Sequence, residues 1–113
     1  MTESKIIELA KVLDGKLAED ISLLNIQELS PIADYFMIVS GKNDRQLQGM
    51  KDAIEEFMYK EGVDEINVEG SQKSDWLLLD YGEVVFHLFN EEVREFYDLD
   101  HIWKDAKKIE INF

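Results

Sequence analysis

The feature that most constrains the fold is a strand that passes directly into a helix. Residues Asp34–Gly41 are a continuous run of mostly apolar, β-branched and aromatic side chains, DYFMIVSG, which is typical of a strand at the centre of a sheet. Asn43 followed three residues later by Gln46 is a capping-box pattern that marks the start of a helix. Apolar residues then recur at helical spacing as far as Gly62, the expected C-cap. The sequence therefore predicts a strand–turn–helix unit.

Further elements are predicted on both sides of this unit. A first helix is expected from about Glu3 to Asp14, capped by Thr2 or Ser4 and stopped by Gly15, because its apolar residues keep helical spacing. The remaining predicted elements are a strand over Asp20–Ile26, a short strand at Ile66 and Val68, a hairpin of Trp76–Tyr81 and Glu83–Phe89 around Gly82, a helix capped by Asn90 and running through Tyr97, a helix capped by Asp98 or Asp100 around Ile102–Ala106, and an apolar tail over Ile109–Phe113.

This order of elements indicates the fold class. Strands joined both by a helical crossover and by a tight hairpin imply a mixed β-sheet flanked by helices, in the α/β (α+β) class. A length of 113 residues with 45% hydrophobic residues fits a single domain over residues 1–113. No repeat, low-complexity tract or linker interrupts it.

Composition excludes several classes of function. The absence of cysteine removes disulfides, thiolate metal sites and cysteine nucleophiles. A net charge of −13 disfavours binding to DNA or RNA, which needs a basic face, and favours a basic protein as partner, although it also serves simple solubility. The first residues lack the pattern of a secretion signal, and no apolar run is long enough to span a membrane, so a cytoplasmic location is expected.

Residues that could support catalysis occur, but not in the spacing that catalysis needs. The turn Ser40–Arg45 enters a helix N-terminus, where Lys42 and Arg45 could help to hold an anion, yet it matches neither GxxxxGK[ST] nor GxGxxG. Asp34, Asp75 and Asp80 lie near strand ends without a paired Asp-x-Asp in a strand. Asp98-Leu99-Asp100 is better explained by helix capping.

The two histidines, His87 and His101, are too few for a multi-histidine metal site. His87 lies inside a predicted strand, and a hydrogen-bonded histidine in or beside the core is favoured over a catalytic base. No catalytic residue, metal site or cofactor is therefore predicted.

The hairpin carries more apolar surface than one core requires. Side chains alternate along a strand, so Trp76, Leu78 and Asp80 point to one face while Leu77, Leu79 and Tyr81 point to the other. One face can cover the core, and the second must meet a helix or a partner. Trp and Tyr are enriched at binding hot spots, which makes a protein-binding face an alternative to burial.

Several linked motifs resemble the bacterial ribosomal silencing factor family, RsfS, which is related to the organellar Iojap proteins. The motifs are DYFMIVSG at 34–41, DRQ at 44–46, DWLLLDYG at 75–82, VVFHLF at 84–89, REFYDL at 94–99 and IW at 102–103. The resemblance implies a fold like that of nucleotidyltransferases without their catalytic residues. It also implies binding to the large ribosomal subunit at its protein number fourteen, which prevents joining with the small subunit and represses translation when nutrients are short.

The resemblance further suggests the contact surface. In the family this surface involves the hairpin and the segment after it, which match Trp76, Leu78, Asp80, Tyr81, His87, Phe89 and Tyr97 here. Asn43 departs from the Ser or Thr that is usual in the family, but it is still a good N-cap. Two alternatives stay open: a nucleotide-binding or nucleotidyl-transferring enzyme using Asp34, Lys42 and Arg45, and a scaffold that forms a homodimer off the ribosome.

Overall fold

The computed structural model describes residues 1–71, 76–97, 101 and 103–113, and for residues 71 and 95–97 it describes the backbone only. This described part of the chain contains three helices and six strands. In chain order the elements are α1 (Glu3–Gly15), β1 (Glu19–Asn25), β2 (Tyr35–Gly41), α2 (Asp44–Lys60), β3 (Asn67–Ser71), β4 (Trp76–Asp80), β5 (Val84–Asn90), α3 (Glu91–Tyr97) and β6 (Lys107–Ile109).

The strands form one mixed sheet, as the sequence predicts. Their spatial order is β3-β4-β5-β2-β1-β6. Strands β2 and β5 run parallel at the centre, and the other neighbouring pairs are antiparallel. The parallel pair follows from the helical crossover through α2, and the antiparallel β4–β5 pair follows from the turn at Gly82, whose φ is +84°. The predicted α+β class is confirmed.

The larger core lies between the sheet and the helices α1 and α2. Each helix buries one apolar stripe, as periodic spacing predicts. The stripes are Ile6, Leu9, Ala10 and Leu13 in α1 and Leu47, Met50, Ile54 and Met58 in α2. They pack on side chains of the four inner strands, which include Met37, Val39, Leu77, Leu79, Phe86 and Leu88.

A smaller core lies on the opposite face of the sheet. Its buried members are Leu24, Ile26, Ala33, Ile38, Val85 and Phe89, with Val93 of α3 and the segment around Trp103 packed against them. Arg94 fixes α3 there: its guanidinium donates to Ser40 Oγ at 2.9 Å, to Ser22 Oγ at 3.0 Å and to the carbonyl of Asp20. The second face of the sheet is therefore covered over β1 and β2.

The helix ends agree with the sequence in part. Thr2 is the N-cap of α1 and Asn43 that of α2, and Gly62 closes α2 with a φ of +72°. Gly15 is the last helical residue of α1, and it does not end the helix in the way that the sequence predicts. The left-handed residue that closes the helix lies two positions later, at Leu17, with a φ of 65°. The terminal hydrogen bonds from Leu17 N–H to Asp14 O and from Ala18 N–H to Leu13 O require that conformation.

One strand is absent from the sequence prediction. Residues 107–109 form β6, which pairs with β1, although the sequence indicates only an apolar tail there. Two of its three residues are lysines, so the sequence shows no strand pattern there. The strand forms because its backbone pairs with the open hydrogen-bonding groups at the edge of β1. The predicted caps Asp98 and Asp100 lie outside the described residues. None of the helices in the described ranges has the length and apolarity of a transmembrane segment.

Candidate functional site

The two faces of β4 lie in different environments. Leu77 and Leu79 are buried, at 1% and 0% exposure, among the side chains that pack on α1 and α2. Trp76 is 37% exposed, and Leu78 and Asp80 are partly exposed on the other face. The predicted alternation is confirmed. The structure adds which face is core: the Leu77 face is buried and the Trp76 face reaches the surface.

Rings from three strands meet on the Trp76 face in an aromatic cluster that we define as Phe36, Trp76, His87, Phe89 and Trp103. The register places Trp76 opposite Phe89 and Leu78 opposite His87, so these side chains share one face. The Trp76 and Phe89 rings stack with centroids 5.7 Å apart, and Trp76 and His87 stack at 6.2 Å. Phe36 meets His87 edge-on at 4.9 Å and Trp103 edge-on at 5.0 Å. The exposed indole therefore lies on a packed aromatic base.

His87 is the polar member of this cluster. Its residue is 7% exposed, and within the described residues neither ring nitrogen has a hydrogen-bond partner. Burial lowers the pKa of His87 to about 4, because the charged imidazolium would lose its hydration. The expectation of a buried histidine is confirmed, but the expectation that it is hydrogen-bonded is wrong for the described residues. Its ring neighbours Phe36, Trp76 and Phe89 supply no acceptor.

Acidic and polar side chains border the cluster along the edge strand β3. Glu69 pairs with Leu78 and Asn67 pairs with Asp80, so all four point to the Trp76 face. Asn67 Nδ2 donates to Glu69 Oε1 at 3.1 Å, and the carboxylate of Asp80 accepts from Gly82 N–H at 2.8 Å. An apolar and aromatic patch with an acidic rim is the result.

The predicted contact residues divide into four groups in the structure. Trp76, Leu78 and Asp80 reach the surface, while His87 and Phe89 form the buried base. Tyr81 lies on the opposite face at 5% exposure. The backbone of Tyr97 belongs to α3, and its side chain lies outside the described residues.

Tyr81 has a structural environment of its own. Its hydroxyl donates to Glu65 Oε2 at 2.8 Å, and its ring packs edge-on against Phe86. Burial, followed by the hydrogen bond to Glu65, raises the pKa of this hydroxyl. These contacts tie the turn after β4 to the chain before β3, on the face away from the aromatic cluster.

Sequence reasoning missed two members of the cluster, Phe36 and Trp103. Phe36 and Ile38 are two residues apart in β2, so their side chains point to the same face. Ile38 pairs with His87 across the parallel strands β2 and β5. The alternation of side chains along β2 can be predicted from the sequence, but the pairing of β2 with β5 cannot. Trp103 contacts Phe36 in the smaller core, although the two residues lie far apart in the sequence.

The turn between β2 and α2, the candidate anion site, is occupied by its own side chains. Lys42 Nζ pairs with Glu19 at 3.1 Å. The N–H of Lys42 donates to Gln46 Oε1 at 2.6 Å, and the N–H of Gln46 donates to Asn43 Oδ1 at 2.9 Å. Arg45 is exposed. The arrangement matches a capped helix start.

The carboxylates considered for metal binding are not brought together in the described part of the chain. No group of three or more potential metal-ligating side chains occurs among the residues that the structure describes. Asp75, one of the three predicted near strand ends, lies outside those residues. Asp80 takes part in the turn at Gly82.

Comparison with known proteins gives one consistent family. The sequence model described as "Ribosomal silencing factor during starvation" (RsfS) matches residues 1–113. The chain is 34% identical to the ribosomal silencing factor RsfS of Bacillus subtilis, over 100% of this chain and 97% of that protein. It is also 33% identical to the mouse "Mitochondrial assembly of ribosomal large subunit protein 1", over 84% of this chain and 43% of that protein.

A solved structure agrees with these matches. The crystal structure of a protein from Chromobacterium violaceum superimposes with a TM-score of 0.83 at 26% identity, covering 100% of this chain and 94% of the other.

Proposed function

Because the chain belongs to the ribosomal silencing factor family, which is named for silencing and not for an enzymatic reaction, we propose that it binds the large ribosomal subunit through the subunit's protein number fourteen. We further propose that the bound protein blocks joining with the small subunit and so represses translation under nutrient limitation. The family role in ribosome silencing is the established part. The binding partner and the block are the proposal.

The observation that supports a protein partner is the patch around Trp76. The Trp76 indole is 37% exposed and stacks on Phe89 and His87, so it presents aromatic surface on this face of the sheet. Tryptophan is among the residues most enriched at the hot spots of protein–protein interfaces. Partly exposed Leu78 extends the patch toward the acidic rim of Asp80 and Glu69.

Charge favours a basic protein rather than RNA as the contacted component. The net charge of −13 repels the phosphate backbone. It attracts the Lys- and Arg-rich surface that is typical of a protein bound to RNA, and such attraction speeds encounter and fixes orientation. The acidic rim beside the patch provides this attraction at the site itself.

The proposed contact set is narrower than the sequence alone suggests. Trp76, Leu78 and Asp80 are proposed to form the exposed part of the contact, and His87 and Phe89 to form the aromatic base beneath them. Tyr81 is left out because it is buried on the opposite face. The contact of Tyr97 stays a prediction.

The proposed action is steric. A domain whose Cα extents are 32 × 32 × 29 Å occupies a substantial space on the subunit surface to which it binds. If that surface faces the small subunit, occupancy alone prevents joining, and no bond has to be made or broken.

The test uses purified bacterial subunits. Large subunits are incubated with the protein, small subunits are added, and joined ribosomes are separated by sedimentation. We expect the yield of joined ribosomes to fall and the protein to sediment with the large subunit. Co-sedimentation with neither subunit, or an unchanged yield at saturating protein, contradicts the proposal.

Matched variants distinguish the patch from the turn before α2. Trp76→Ala should lose binding, whereas Lys42→Ala and Arg45→Ala should bind nearly as well as the unmodified chain, since exposed charges away from a contact contribute little. Loss of binding in folded Lys42→Ala would move the contact to that turn. Sedimentation equilibrium of the same preparations tests whether a homodimer forms off the ribosome.

A further inference from the structure

We infer that His87 is a recognition residue that forms a hydrogen bond with a lysine or arginine side chain of the ribosomal partner after the Trp76 indole moves aside. The inference rests on the proposed function and identifies the chemistry of the group that the patch receives. It starts from two buried nitrogen atoms whose hydrogen-bonding capacity is unused within the described residues.

An unsatisfied buried polar group is costly and therefore needs an explanation. Leaving a buried donor or acceptor without a partner destabilises the folded state, because the group loses its hydrogen bonds to water. A phenylalanine at position 87 would keep the ring stacking with Trp76 and Phe89 and would avoid that cost. Packing alone does not account for a histidine here, whereas a partner that supplies the missing hydrogen bond in the complex does.

The position of His87 makes it reachable from the patch. It lies opposite Leu78 and diagonally opposite Trp76 in the β4–β5 pair, on the face that reaches the surface. Trp76 stacks on His87, is 37% exposed and is the first residue of β4. Binding would therefore require a side-chain rotation at Trp76 that uncovers the imidazole.

The chemistry of the imidazole defines the partner group. At neutral pH the ring is uncharged and offers one nitrogen as an acceptor, which a donor-only lysine or arginine can satisfy. Asp80 and Glu69 on the same face would compensate the charge of that side chain, and its aliphatic stem would pack on Leu78. A carboxylate in the same place would be repelled by this rim.

The experiment compares three variants in binding to purified large subunits and in thermal unfolding. His87→Phe keeps the ring and removes the acceptor, and His87→Gln keeps an acceptor oxygen. Tyr81→Phe removes a hydroxyl from the opposite face and is the matched control. We expect His87→Phe to melt at the same temperature or higher and to bind about tenfold more weakly. His87→Gln should bind more tightly than His87→Phe, and Tyr81→Phe should bind like the unmodified chain.

The outcomes separate this inference from the proposed function. If the unmodified chain does not bind large subunits, the proposed function fails. If it binds and His87→Phe binds within about twofold of it, only the inference fails. Equal losses in His87→Phe and Tyr81→Phe also contradict the inference, because they indicate a general structural effect.

A second measurement covers the case in which His87→Phe does not fold. The protein labelled with ¹⁵N at histidine is titrated with the isolated large-subunit protein number fourteen. A new hydrogen bond should move the resonance of the acceptor nitrogen of His87. A resonance that stays in place at saturation overturns the inference.

Discussion

At the scale of single residues, adjacent side chains in β4 have separable roles. Leu77 is buried against the helices, whereas Trp76 lies on the opposite face of the sheet and keeps 37% of its surface exposed. Truncation at the two positions therefore removes different things: a core contact at Leu77 and a surface anchor at Trp76.

We expect Trp76→Ala to weaken binding to large subunits by about 2 kcal/mol, roughly thirtyfold, with a smaller effect on folding. Leu77→Ala should lower the free energy of unfolding by about 2 to 5 kcal/mol, because it leaves a cavity under α1 and α2, while the folded fraction still binds. Thermal unfolding and subunit binding are measured on both variants. Identical behaviour of the two variants would refute the assignment of one face to the core and the other to the partner.

His87 makes the stability of the fold depend on pH. Its pKa is lowered by burial to about 4, below the ordinary value of 6.5, so the unfolded chain takes up a proton first as pH falls. The contribution of neutral His87 to stability is complete above pH 6.5 and is lost as pH falls toward 4. The full loss is about 3 kcal/mol of unfolding free energy, because each unit by which burial lowers the pKa of His87 corresponds to about 1.4 kcal/mol.

We therefore expect the free energy of unfolding to fall more steeply between pH 6.5 and pH 4 in the unmodified chain than in His87→Phe. Denaturant titrations at several pH values in this range check it. The comparison cancels the titration of the carboxylates that both proteins share. Parallel pH profiles would show that His87 is not buried as described.

At the scale of elements, α1 and α2 end in the same way with different residues. In both helices the residue after the C-cap is left-handed, and its own N–H and the N–H of the next residue donate to carbonyls of the last turn. In α2 that residue is Gly62, with a φ of +72°, and in α1 it is Leu17, with a φ of 65°. A non-glycine residue in this conformation costs roughly 1 kcal/mol.

Leu17→Gly should therefore raise the free energy of unfolding by about 0.5 to 1 kcal/mol, and Gly62→Ala should lower it by about 1 kcal/mol. Gly62→Ala is a clean backbone test, because an added Cβ meets no atom within 4 Å. Chemical denaturation of both variants provides the measurement. A destabilised Leu17→Gly variant would mean that the 76% exposed Leu17 side chain makes a compensating contact.

At the scale of the whole molecule, the dominant property is a net charge of −13. Long-range attraction between opposite charges acts on the rate of encounter and is screened within about 10 Å at 0.1 M salt. Contacts formed after docking, such as the packing of Trp76, act mainly on dissociation.

The association rate constant with large subunits should fall roughly tenfold as salt rises from about 0.05 to 0.5 M, because charge attraction is screened. Trp76→Ala should instead raise the dissociation rate and leave the salt slope of association unchanged. Stopped-flow or surface-based kinetics at several salt concentrations give both constants. An association rate that is independent of salt would show that charge complementarity does not guide this encounter.

The sequence by itself determined the local elements and the alternation of the hairpin. The spacing of apolar residues predicts α1, α2 and the five longer strands, because helical and strand periodicity are local properties of the chain. The same alternation separates Trp76 from Leu77. The motifs from Asp34 to Trp103 also point to the family before any contact is known.

Only the tertiary structure decided which hairpin face is core, because both faces are apolar and burial depends on where α1 and α2 pack. It also decided that Phe36 joins His87 and that Lys107–Ile109 adds an edge strand. Each of these depends on a contact between residues far apart in the chain. The pairing of distant strands sets such contacts, and a local pattern of residues does not encode that pairing.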